Sequence, residues 1–187
     1  KGRKVGGAIT ELSLIMDIGG GSVEFILCEL NEIIWKKSYD LGAARLMQKY
    51  LNSDPINQTD VQGIIGRAQE LLPELFEVCE QYQPKTLIGS AGAFETFATL
   101  IKEKFKSTID VESSKNYTFN FDQYIQTTTD LIVATHNERA NMHGMIAFIV
   151  DMSMIAALIS KYVIGRLQID TVKLYTYDLK RGLVAEM

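Results

Sequence analysis

The segment Leu12 to Glu24, LSLIMDIGGGSVE, constrains the fold more than any other part of the 187-residue chain. Leu12 to Asp17 is a short apolar run without alternation, the pattern of a strand buried on both faces. Gly19, Gly20 and Gly21 then force a tight turn, and the positive φ open to glycine is expected there. Val23 to Leu30 reads as a second strand. Ile33 to Tyr39 reads as a third, after a hairpin-spaced bend at Asn31-Glu32. Consecutive antiparallel strands therefore open the domain.

The same segment carries chemistry. Glycines remove side chains, so backbone N–H groups can approach a ligand and form an anion-binding concavity. Ser22 adds a hydroxyl donor. Asp17 and Glu24 flank the bend and can hold Mg²⁺ against phosphate oxygens, since Mg²⁺ prefers oxygen ligands and keeps several waters. The plainer reading is a hairpin whose two carboxylates face solvent, and spacing alone slightly favours it. A buried strand ending in Asp before three glycines tips the balance to a phosphate site. The segment is not GxGxxG and leads into a strand, which excludes a Rossmann fingerprint.

Further along, Ala43, Leu46, Met47, Tyr50 and Leu51 recur at helical spacing after a break at Leu41-Gly42. Asp54-Pro55 closes that helix. Thr59 to Gln62 has the form of a capping box. Val61, Ile64, Ile65, Ala68, Leu71, Leu72 and Leu75 make one apolar stripe, kinked at Pro73. Thr86 to Gly89 is a brief strand. Phe94, Phe97, Ala98, Ile101 and Phe105 line the next helix. Ser107 to Asn120 is a polar loop with room for a short edge strand. Phe121 to Ala134 reads as helix, and Arg139 to Tyr162 as one long central helix. Val172 to Tyr177 is a last strand, and Asp178 to Glu186 begins a last helix. The order predicts an α/β domain with a mixed sheet, opened by antiparallel strands and flanked by helices.

Two weaker constellations remain. Gly89, Ser90 and Gly92 form a small-residue turn between strand and helix, where free N–H groups and the helix dipole favour phosphate. Taken alone, an ordinary strand-to-helix turn is the better reading. Thr135 to Met142 holds His136 and Arg139, and the second histidine, His143, follows at once. Arg139 could grip a phosphate, but an Arg at such a place more often holds a carboxylate structurally.

Composition excludes several classes. The net charge is −4 and the 19 basic residues are scattered, which argues against wrapping nucleic acid. Cys28 and Cys79 lie in apolar stretches with no CxxC pair, so no zinc framework exists and two buried thiols in a reducing, cytoplasmic setting are expected. The longest apolar run, Met145 to Ser160, is broken by Asp151 and reads as too short for a membrane span.

Taken together, these segments resemble the exopolyphosphatase / guanosine pentaphosphate phosphatase (Ppx/GppA) family of the actin and sugar kinase superfamily. Asp17 to Phe25 (DIGGGSVEF) is similar to its second phosphate motif. Gly89 to Ala98 (GSAGAFETFA) is similar to its adenosine-type loop, with Ala93 where Thr is usual. Glu138 to Met142 (ERANM) and Asp178 to Val184 (DLKRGLV) resemble two later motifs, with Asn141 where Asp is common. The resemblance implies a ribonuclease H-like, actin-like fold with two domains facing across a cleft. It implies hydrolysis of a terminal phosphate from polyphosphate, or of the 5′ phosphate from guanosine pentaphosphate, with Mg²⁺ or Mn²⁺. Asp17 and Glu24 would be catalytic and metal-holding carboxylates. Gly19, Gly20, Gly21 and Ser22, with Gly89, Ser90 and Gly92, would bind phosphate. A Glu of the first domain would activate the water. Residues 1–11 are then a linker from a missing N-terminal domain, and residues 12–187 the second actin-like domain. The chain alone is expected to be inactive, while its full-length parent turns over. A homodimer is expected through the apolar face that the missing domain would cover. A binding module without turnover is the alternative. A sugar or acid kinase half is a third reading, for which no acceptor pocket is legible.

Overall fold

A run such as Leu14 to Met16 survives only where both sheet faces are covered, and the computed structural model puts it there. The structure describes residues 9–30, 32–90, 92–107 and 116–175. Strand β1 (Ser13–Ile18) pairs antiparallel with β2 (Val23–Glu29), and β2 with β3 (Glu32–Tyr39). On the other side of β1 lies β4 (Thr86–Ser90), parallel to it. Then come β6 (Thr171–Tyr175), parallel to β4, and the edge strand β5 (Asn116–Thr118), antiparallel to β6. The sheet order is β3-β2-β1-β4-β6-β5, a mixed sheet opened by antiparallel strands as expected.

Among the described residues the α-helices are α1 (Ala43–Tyr50), α2 (Gln58–Leu71), α3 (Pro73–Tyr82), α4 (Ala93–Phe105), α5 (Phe121–Val133), α6 (His136–Ala140) and α7 (Val150–Leu167). The main core joins Leu14, Met16, Phe25 and Leu87 of the sheet to Phe94, Phe97, Tyr124, Ile155 and Ile159 of the helices. Tyr124 sits at its centre, ringed by Phe94, Phe97 and Phe119, and donates to Ser160 Oγ at 3.0 Å. Ile9, Ile15, Cys28, Ile88 and Tyr175 form a smaller cluster on the other sheet face. Both cysteines are buried and free; burial pushes Cys28 up to about 11 and Cys79 up to about 12, so neither thiol is a poised nucleophile.

Several expectations needed correction. The capping box does not form at Thr59–Gln62. Asn57 is the N-cap, its side chain accepting from Asp60 N–H at 2.9 Å. Asp60 decides this, because its carboxylate also accepts from Asn52 N–H (2.9 Å) and Ser53 Oγ (2.7 Å), which holds the helix entry two residues earlier. The Asn57→Ala variant should lose about 1 kcal/mol of stability, and Thr59→Ala less than about 0.5 kcal/mol. Equal losses in urea denaturation would show that the cap is misplaced.

Pro73 does not kink a helix; it ends α2 and occupies the first turn of α3, where its missing N–H is not needed. The expected helix from Arg139 to Tyr162 is broken. Gly144 takes a left-handed φ of +92°, and a side chain there would lie 2.8 Å from Thr99 Cγ2 of α4. A 3-10 turn (Ala147–Ile149) then leads into α7, which extends to Leu167. Counted together, Ala147–Leu167 is long and apolar enough to cross a membrane by length and composition, contrary to the reading of the run as too short. In this fold it is the central core helix, buried along most of its length. The last helix and the end of the last expected strand lie outside the described residues.

Candidate functional site

The bend between β1 and β2 is closed by Gly19 N–H donating to Ser22 O at 2.9 Å. Its carbonyls are taken by the first turn of α1. Gly19 O accepts from Ala43 N–H (2.9 Å), Gly20 O from Arg45 N–H (3.1 Å) and Gly21 O from Arg45 Nε (3.1 Å). Gly42 makes this approach feasible. A Cβ at Gly42 would lie 2.2 Å from Gly21 C and 2.3 Å from Gly20 O. The sequence shows Gly42 only as a break, because nothing local reveals which backbone it meets.

None of the three glycines adopts a left-handed φ, so the expectation of positive φ fails. A Cβ at Gly19 would press on Ser22 O at 3.3 Å, but at Gly20 and Gly21 space does not demand glycine either. A Cβ at Gly20 would meet nothing closer than Ala44 Cβ at 3.6 Å, and one at Gly21 would meet nothing within 4 Å. Residues 19–21 are exposed. Among the described residues, no backbone acceptor takes the amides of Gly20 and Gly21. The fold thus leaves bare backbone where it has room for side chains.

Asp17 and Glu24 are direct cross-strand partners, so both side chains stand on one sheet face. By alternation it is the face of Ile15 and Cys28, away from the helices. Both residues are half-buried rather than sealed in. Two carboxylates at this place suit Mg²⁺, which completes its shell with water and phosphate oxygens. Among the described residues, no group of three or more His, Cys, Asp or Glu is placed to cage a metal.

On the helical side of the bend is a cavity of about 150 Å³, lined by Ile18, Gly19, Gly20, Gly92, Met152 and Ser153 among others. It brings the two glycine-rich loops together, while the carboxylates stand on the opposite side of the sheet. The three members of the second loop differ in what they do. Gly92 caps α4 with a φ of +48°, a conformation that favours glycine. Gly89 is buried, and a Cβ there would lie 2.0 Å from the Phe94 ring, so packing alone accounts for it. Ser90 Oγ is buried without a hydrogen-bond partner among the described residues.

Arg139 follows the structural reading. Its side chain is 1% exposed, and it donates to Asp151 Oδ1 at 2.7 Å and to the carbonyls of Leu131 and Ala134. Asp54 lies 3.7 Å away, and His136 Nδ1 meets Asp151 at 2.9 Å. Burial works against the Asp151 charge, but the bonds from Arg139 and His136 outweigh it and hold its pKa below the usual value. Thr135 and Glu138 form a reciprocal capping box that fixes α6.

Sheet order, the clamped glycine bend and the second loop beneath it define a domain of the actin-like ATPase fold. The family model described as the Ppx/GppA phosphatase family matches residues 5–187, and the chain belongs to that family. It is similar to the crystal structure of an exopolyphosphatase from Cytophaga hutchinsonii, with 31% identity and a TM-score of 0.88, covering 96% of this chain and 58% of that one. A Ppx/GppA enzyme of Aquifex aeolicus shares the fold at 15% identity, with a TM-score of 0.73 over 95% of this chain and 57% of that one. Among curated proteins, Exopolyphosphatase 2 of Mycobacterium tuberculosis is 31% identical over 100 residues, 50% of this chain and 31% of that protein. The chain therefore spans a little over half of the structural relatives and about a third of the curated one.

Proposed function

We propose that this domain supplies one wall of a phosphatase site that removes the terminal phosphate of inorganic polyphosphate. The 5′ phosphate of guanosine pentaphosphate is the second substrate the reading admits. The observation that carries it is the open backbone at Gly20 and Gly21, where neither space nor φ requires glycine. Steric room beside exposed amides is what an incoming phosphate needs. Relatives named exopolyphosphatases support polyphosphate as the substrate.

In this reading the amides of Gly20 and Gly21, at the end of the sheet, hold phosphoryl oxygens with the Ser22 hydroxyl beside them, and the Gly92 turn borders the bend from the helical side. Asp17 and Glu24 would hold Mg²⁺, which neutralises phosphate charge when bound. The first turn of α1 keeps the amides oriented. The transition state also needs an aligned water and its base. We assign those to the part of the relatives that this chain does not span, with residues 1–11 as linker and residues 12–187 as the second actin-like domain. The chain alone is then a phosphate binder without turnover.

Phosphate release from long-chain polyphosphate by the full-length protein tests this. In Asp17→Ala the rate should fall at least about 100-fold, and the Mg²⁺-dependent thermal shift with tripolyphosphate should vanish. An unchanged rate with intact folding would refute the site. Turnover by the pure 187-residue chain would refute the two-wall scheme.

A further inference from the structure

We propose that Arg45 reads the second phosphate of the substrate, and so selects phosphate chains over single phosphates. The inference rests on the phosphate reading of the glycine bend and assigns it a specificity residue. Arg45 is the third residue of α1. Its Nε is anchored on Gly21 O at 3.1 Å, and its own N–H on Gly20 O at 3.1 Å. Two bonds from one residue fix the guanidinium against the bend.

Anchoring through Nε leaves the two amino groups of the planar fork. Nη2 lies 3.6 Å from Asp40 Oδ1, too far for a good hydrogen bond. The two side chains are 56% and 67% exposed, so this pair is a loose surface contact. Among the described residues, Nη1 makes no hydrogen bond or ion pair. A cationic fork with spare donors is thus held at the rim of a bend whose amides would hold one phosphate. A phosphate makes charge-assisted, bidentate bonds with such a fork and displaces the weak Asp40 contact. A lone phosphate on the glycine amides has no second group to offer it. A chain of phosphates does.

Binding and turnover in the full-length protein with Mg²⁺ test the assignment. The probes are inorganic phosphate and tripolyphosphate in calorimetry, and long-chain polyphosphate in turnover. In Arg45→Met, tripolyphosphate affinity should fall about tenfold, the size of one charge-assisted hydrogen bond, while phosphate affinity stays within about twofold of wild type. KM for polyphosphate should rise by the same factor, and kcat should fall by less than KM rises, because the backbone N–H bonds of Ala43 and Arg45 still hold the bend. Arg45→Lys should fall between the two, since it keeps charge and loses the fork. Equal losses for both ligands, or a drop in kcat alone, would mean that Arg45 only shapes the bend and would overturn the assignment. So would a wild-type KM in Arg45→Met when the wild-type enzyme is active. If the wild-type protein binds neither ligand and releases no phosphate, the phosphate reading itself falls, and Arg45 with it.

Discussion

The Gly42→Ala variant of the full-length protein should lose about 100-fold in phosphate release and about 2 kcal/mol in stability. The cause is a backbone contact, not a lost side chain. A methyl at residue 42 would sit 2.2 Å from Gly21 C and 2.3 Å from Gly20 O. Either the bend or the start of α1 must then move, and the bonds from Ala43 and Arg45 to the bend go with it. Gly21→Ala is the informative partner. Nothing lies within 4 Å of a Cβ there, so stability should stay within about 0.5 kcal/mol of wild type. Its rate should nevertheless fall, because the methyl takes the place a phosphate would occupy. Urea denaturation and phosphate release on the two variants separate these effects. A fully active Gly21→Ala would remove the case that the empty space serves a ligand.

The second large effect is expected far from the bend. Asp151→Asn should destabilise the fold by about 3 kcal/mol at neutral pH, the low end for breaking a buried ion pair. Arg139 is 1% exposed and would keep only the more distant carboxylate of Asp54, at 3.7 Å. The pH dependence follows in sign from the lowered pKa of Asp151. Its contribution is complete above the ordinary carboxylate value of about 4. It is lost as the pH falls through the lower, folded-state value. Wild type and Asp151→Asn should therefore converge in stability toward acid, measured as urea midpoints from pH 7 downward. A gap that stays constant into strong acid would show that the carboxylate charge is not what holds Arg139.

Much of this was legible in the residues. Leu14 to Met16 and Thr86 to Gly89 announce central strands because they are apolar without alternation, and they pair side by side. DIGGGSVE announces the bend and both carboxylates. What stayed hidden depends on partners remote in sequence. Gly42 matters through the backbone of Gly20 and Gly21, and Gly89 through the ring of Phe94. Gly144 breaks the expected long helix through its left-handed φ, which an apolar stripe cannot signal. Asn57 displaced Thr59 as a cap because Asp60 ties back to Asn52 and Ser53. The role of Arg45 was also illegible, since it looks like any polar position on the first turn of a helix.

The clamp of α1 on the bend has a thermodynamic consequence. The three glycines would be the most freely rotating residues in an unfolded chain. Here their carbonyls are already committed to Ala43 and Arg45. The peptide dipoles are therefore frozen before any anion arrives, and an incoming anion need not order them. Binding free energy that would go into reorganisation remains available for lowering the barrier.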